Sequence, residues 1–351
     1  MAELPPPPLG SFASDNAAGV CPEVMEALIA ANVGTALAYG EDDWTRRARS
    51  DLRDVFDAPV RSYFCWGGTG ANVVGLASVL EPWQAVLCAD SAHIVVDECG
   101  APARFTGATV VPIQTGDGKL TPEQIEPWIH WRGSEHHPQP RVVSITQSTE
   151  MGTLYTVDEI GVLCDAAHAH GLVVHLDGAR IANAVAATGV RLPEMVRDTG
   201  VDLMTFGLTK DGAMFGETVV FLDTELDGAA RFVRKQAGQL VSKSRFVAAQ
   251  VSALLADDLW LRNADHANRM AAALADGVAG IPGVDVVAAP SVNSVFARVP
   301  PAAIAPLKEW SFFWEWDLSS SLVRWMTSFA TTDTDVARFN AGVREIVTRH
   351  I

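Results

Sequence analysis

Four short apolar runs in this chain each end on a polar or charged residue: "AVLCAD", "RVVSITQST", "LVVHLD" and "VDLMTFGLTK". They are strand-length, and of the two best helical patterns one precedes the first run and the other separates the second from the third. "WGGTGANVVGLASVL" reads as a glycine turn opening a helix, with Val73, Leu76, Ala77 and Leu80 as its apolar stripe. "TVDEIGVLCDAAHAHG" reads as a helix with capping-box spacing between Thr156 and Glu159 and a stop at Gly171. "CPEVMEALIAANVG" adds a short helix nearer the start. Strands that alternate with helices over roughly the first 220 residues require a mostly parallel sheet covered on both faces.

Beyond that sheet the pattern changes. Residues from Leu226 to about Ala279 are mostly helical and alanine-rich. "IPGVDVV", "SVFARV" and "SLVRWMTSF" then read as short strands with helices between them. The division expected is an extended, proline-rich arm over 1–14, a large domain over 15–260 and a smaller α+β domain over 261–351. A net charge of −16 repels nucleic acid and acidic membrane surfaces. No uninterrupted apolar run approaches a membrane span. Five scattered cysteines without a C-x-x-C pair read as reduced thiols of a cytoplasmic protein, and no metal-ligand pattern is present.

In an open α/β sheet, ligands bind beyond the carboxyl ends of the strands. Asp90, Gln147, Asp177 and Thr209-Lys210 all fall there, so the expectation is that they converge on one crevice. "GGTGAN" offers backbone N–H groups, the Thr69 hydroxyl and a helix N-terminus to a phosphate; an ordinary capped turn would read the same way. It lacks the G-x-G-x-x-G spacing of a dinucleotide loop and the G-K-[ST] of a nucleoside triphosphate loop. Lys210 is one of only five lysines and follows an apolar strand. Burial would lower its pKa and allow a Schiff base, although a strand-end lysine more commonly snorkels to solvent. Asp177 suits a heteroaromatic nitrogen that must stay protonated; a turn-capping aspartate is the plainer alternative. His93 could stack on a flat ring or move a proton, or simply be solvated in a loop. His175 reads as a hydrogen-bonded core residue, and "HWRGSEHHPQP" as a surface loop. Together, a phosphate cradle, a stacking histidine, an aspartate and a strand-end lysine suit one cofactor, pyridoxal 5′-phosphate.

The stretches "FASDNAAG", "AYGEDDWT", "GGTGAN", "ADSAHIVVDE", "VHLDGARIANA", "LTKDGA", "VRKQAGQ" and "LVRWMTSF" resemble the L-threonine aldolases, within the fold type I, aspartate aminotransferase-like enzymes. The likeness covers most of the chain. It implies an α/β fold with a large, mostly parallel-sheet domain and a smaller C-terminal one. It implies Lys210 as the Schiff-base lysine, Asp177 on the pyridine nitrogen, His93 on the ring, and Gly68 and Thr69 on the phosphate, with Thr209 beside Lys210. It assigns Arg180 to the ring oxygen and substrate carboxylate, Arg324 and Ser14 to that carboxylate, and Tyr39 to a neighbouring subunit's site in a homodimer or homotetramer. The reaction implied is cleavage of L-threonine, L-allo-threonine or a relative such as phenylserine to glycine and an aldehyde. β-Elimination, transamination or racemisation on the same scaffold is the alternative, and a non-catalytic binding module a further one. Two departures stand out. Thr149 is expected where many members carry a histidine that handles the substrate hydroxyl, which leaves His93 or a water it holds as the base. "GQLVSKSR" replaces a glycine-rich segment, with Lys235 and Lys243 as stand-ins for its phosphate contacts.

Overall fold

The alternation builds a seven-stranded sheet. A computed structural model describes residues 4–351. The strands are β1 Arg61–Cys65, β2 Gln84–Ala89, β3 Thr109–Ile113, β4 Gln139–Thr146, β5 Val173–Gly178, β6 Leu203–Phe206 and β7 Glu217–Phe221. Their order across the sheet is β1-β7-β6-β5-β4-β2-β3. β2 to β6 run parallel, whereas β7 lies antiparallel to both β6 and β1. The two edge strands, β1 and β3, are only partly buried; β1 mixes polar and apolar residues and β3 carries Pro112, so their sequence signal is weak. By contrast β5 is buried at every position because helices cover both faces.

One face carries Val142, Val173, Leu203 and Val219 under the helix Gly68–Val79. The opposite face carries Val143, Val174, Leu176 and Met204 under helices that include Val157–Ala169 and Ile181–Thr188. The capping box forms as its spacing requires. The Glu159 amide donates to Thr156 Oγ1 at 3.1 Å, and the Thr156 amide donates to Glu159 Oε2 at 2.7 Å.

A second, antiparallel sheet follows. It contains β8 Asp285–Val286, β9 Ser294–Arg298, β10 Trp314–Asp317 and β11 Leu322–Met326, in the order β10-β11-β9-β8. The helix Leu259–Val278 serves both cores. Leu259, Trp260 and Ala264 pack in the first, while Met270, Leu274 and Val278 pack in the second. The N-terminal arm docks on the second core. Phe12 is fully buried with its ring 4.3 Å from that of Phe339, and its carbonyl accepts from the Met326 amide at 2.9 Å. Docking there delivers Ser14 and Asp15 to the mouth of the first sheet.

Candidate active site

β5 and β6 are neighbours, with Asp177 opposite Thr205 in register. Their ends approach unusually closely. A Cβ on Gly178 would sit 2.6 Å from the Thr205 carbonyl oxygen, and one on Gly207 would strike the Ala179 carbonyl. Only glycine at both positions lets the Asp177 and Lys210 segments lie side by side. Lys210 occupies a short 3-10 turn, Thr209–Asp211, immediately after β6. That turn is clamped from below by buried Glu217, which accepts from the Leu208 amide at 2.6 Å and the Thr209 amide at 3.4 Å. The Thr209 hydroxyl donates to the Gly216 carbonyl, so it holds the turn.

The electrostatics suit imine chemistry. Burial, and then the Arg180 guanidinium, push the Lys210 amine below its ordinary pKa, against the pull of Asp15, Asp177 and Glu217. Its Nζ makes no hydrogen bond or ion pair among the described residues. A lowered pKa and a free lone pair are what attack on an aldehyde needs. Burial opposes the charge on Asp177, but the Asn72 amide, His175 and Lys210 together hold its carboxyl below the usual range. It therefore stays ionised and can keep a ring nitrogen protonated.

Asp177 belongs to a chain of contacts. Asn72 Nδ2 donates to Asp177 Oδ2 and to Glu98 Oε1, both at 2.8 Å, while Thr205 Oγ1 fixes the Asn72 carbonyl at 2.7 Å. Glu98 Oε1 also lies 2.8 Å from His93 Nδ1. That contact raises the His93 pKa, with burial opposing it. His93, Asp177, Lys210 and Gly68 line one slot. Gly68 and Thr69 form the first turn of their helix, and a Cβ on Gly67 or Gly68 would meet nothing within 4 Å. That open ground above a helix N-terminus can receive a phosphate.

Two arginines complete the site. Arg180 forms a bidentate pair with buried Asp15, Nε to Oδ2 at 2.7 Å and Nη2 to Oδ1 at 3.0 Å. Ser14 caps the same turn, its hydroxyl accepting from the Asn16 amide and reaching Asp15 Oδ1 at 3.3 Å. Arg324 lies over the Trp316 ring, 4.7 Å from its centroid, and its buried Nε has no partner. Burial, and then the charge of Arg180, bring its pKa down to about 10. Two mutually repelling guanidinia beside a slot form a binding site for an anion such as a carboxylate.

Several expectations need correction. Asp90 faces away and accepts from the Thr115 amide and hydroxyl at 3.1 and 3.0 Å. Gln147 is turned into the core, its amide exchanging two 3.0 Å bonds with the Tyr155 backbone. Thr149 is buried against Thr153 Oγ1, 2.6 Å away; the next residue, Glu150, lines the slot instead. Consecutive residues in that turn point to opposite sides, so a one-residue displacement exchanges wall for core. Tyr39, expected at a neighbouring subunit's site, stands apart from these corrections: it is half exposed, with the Lys235 ammonium 5.2 Å from its ring centre, and neither it nor Lys243 lines the slot of its own chain. Sequence reasoning missed Asn72, Glu98, Asp15, Glu150 and Glu217. Asn72 and Glu98 stand inside "GGTGAN" and "ADSAHIVVDE", so the stretches were noticed but not these side chains.

An aminotransferase-like fold whose slot gathers a buried unpaired lysine, a buried carboxylate and an arginine, with a second arginine nearby, fits one class: a pyridoxal-phosphate enzyme of fold type I. The profile of the β-eliminating lyase family matches residues 11–301. The chain is 41% identical to a low specificity L-threonine aldolase from Pseudomonas aeruginosa, covering 95% of this chain and 96% of that protein. A solved threonine aldolase from Leishmania major superposes with a TM-score of 0.88 at 31% identity, over 97% of this chain and 99% of that one. An aspartate aminotransferase from Rhizobium meliloti shares the fold, with a TM-score of 0.71 at 16% identity over 98% and 92% of the two chains. The chain belongs to the threonine aldolase family of β-eliminating lyases, which depend on pyridoxal 5′-phosphate.

Proposed function

We propose that the protein cleaves L-threonine, L-allo-threonine and related β-hydroxy-α-amino acids to glycine and an aldehyde. The observation that carries this reading is the meeting of a buried, unpaired amine of lowered pKa, Lys210, and a buried carboxylate, Asp177, beside the Arg180 and Arg324 pair. The names borne by the relatives support the same reaction. Lys210 would hold the cofactor aldehyde, Asp177 the ring nitrogen, His93 the ring face, and the Gly68-Thr69 turn the phosphate. Bound there, pyridoxal phosphate supplies a sink for the electron pair left on Cα when a bond to it breaks.

The remaining work falls to the chain's own side chains. Arg180, oriented by Asp15, and Arg324, braced on Trp316, hold the substrate carboxylate. Two-point holding fixes rotation about Cα and so selects the bond that breaks. A cavity of about 580 Å³ adjoins His93 and Arg324 and is walled by Met151, Trp314 and Trp316. It gives the aldehyde half of the substrate room for an aryl group, which favours phenylserine-type substrates beside threonine. Five free cysteines, four of them buried, suit a reducing, cytoplasmic setting. Among the described residues no helix is long and apolar enough to cross a membrane.

The test is an absorbance spectrum of the purified protein followed by product analysis with L-threonine. Visible absorbance, glycine and acetaldehyde are expected, and Lys210→Ala should lose all three. An oxo acid and ammonia would mean elimination instead, and retained absorbance in Lys210→Ala would refute the lysine assignment.

A further inference from the structure

Glu150 shares the slot with Lys210, Asp177 and Arg180, yet the mechanism above leaves it idle. It stands in the turn that follows β4. Its Oε1 accepts from the His93 amide at 2.8 Å and from Thr146 Oγ1 at 3.0 Å. These bonds come from two different elements and lock the carboxyl in place. Its Oε2 is buried and has no partner. A buried carboxyl oxygen left unsatisfied is costly unless a ligand group completes it.

The other titratable groups of the slot are already committed. Asp177 accepts from Asn72 and from the Ala179 amide. His93 has its Nδ1 committed to Glu98. Lys210 is reserved for the cofactor, and the Thr149 hydroxyl is occupied with Thr153. We infer that Glu150 is the catalytic base that receives the substrate's β-hydroxyl proton at Oε2. The inference rests on the aldolase reading above. As the proton moves to Oε2, the O–H electron pair closes the aldehyde C=O and the Cα–Cβ bond breaks. The pair left on Cα would pass to the bound cofactor, and a proton from solvent would then complete glycine while Glu150 returns its own proton to solvent. Burial, and then Asp177, raise the affinity of Glu150 for that proton, which suits it to accept one.

Glu150→Gln keeps the shape and an acceptor for His93 and Thr146, but it cannot take a proton. Three readouts are compared with the native holoenzyme: threonine cleavage, the glycine dissociation constant from cofactor absorbance, and exchange of the glycine α-proton into deuterium oxide by NMR. Only cleavage needs a base at the β-hydroxyl. Cleavage should fall about 100-fold or more, the loss expected when general-base catalysis is removed, while glycine binding and exchange stay within about threefold. Cleavage within about threefold of native overturns the proposal. So does an equal loss of all three readouts, which would mark Glu150 as a support for the cofactor. If Glu150→Gln does not fold, Glu150→Asp moves the carboxyl back by one methylene, and the same selective loss of cleavage is required of it. A native protein that neither binds nor exchanges glycine would instead defeat the aldolase reading itself, and this inference with it.

Discussion

At the scale of single residues, the site is organised by one amide. Asn72 ties Asp177 to Glu98, and through Glu98 to His93, so three side chains share one fixed geometry. Both of its donors go to buried carboxylates, and hydrogen bonds to charged groups contribute about 1.5–3 kcal/mol each. Asn72→Ala should therefore weaken cofactor retention by about one to two orders of magnitude, measured by equilibrium dialysis of pyridoxal phosphate. Unchanged retention would mean that Asp177 is held by the Ala179 amide alone. "HLDGARIANA" made Asp177 and Arg180 legible, because a strand ending on a carboxylate before a glycine is readable locally. Asp15 was not legible as Arg180's partner. The two lie 165 positions apart in sequence, and only the docking of Phe12 on the second core joins them.

At the scale of elements, the turn that carries Lys210 depends on Glu217 at the start of β7. Burial pushes this carboxyl from 4.5 to about 7 despite the bonds from Thr209 and Leu208. The unfolded chain releases the proton near 4.5, and the folded protein only near 7. Between those values the folded state holds more protons, so the stability that Glu217 contributes falls as pH rises and is lost above about 7. Glu217→Gln keeps an acceptor but no titration. Its Tm, relative to the native protein without cofactor, should rise steadily from pH 5 to pH 8. A constant difference would count against this. Strong periodicity made the helix Val157–Ala169 and strands β2, β4 and β5 readable. The edge strand β1 escaped because a half-exposed segment is not constrained to be apolar, and β3 because Pro112 breaks its short run.

At the scale of the whole molecule, one face remains unusually apolar. Ile29, Val33, Leu37, Trp66 and Met214 are all exposed large hydrophobics. Arg245 donates to the Val33 carbonyl, and the Tyr39 amide donates a hydrogen bond to the Ser242 carbonyl, which ties both to this face. An exposed patch of this kind marks an interface, and its position beside the Gly67-Gly68 turn suits a second copy that completes the site. Light scattering should give at least twice 37.5 kDa. Leu37→Asp should lower that mass and reduce activity together. A native monomer that is fully active at assay concentration would remove the argument.

Read alone, the chain determined the central strands of its sheet and its cofactor class and singled out Lys210, because those depend on short stretches whose periodicity and turn chemistry are local. The tertiary structure decided which neighbours face the slot. It turned Thr149, Gln147 and Asp90 away, and it brought in Glu150, Asn72 and Asp15. The physical reason is that side-chain direction in a turn changes completely over one residue, and that a buried charge takes its partner from whatever distant segment packing delivers.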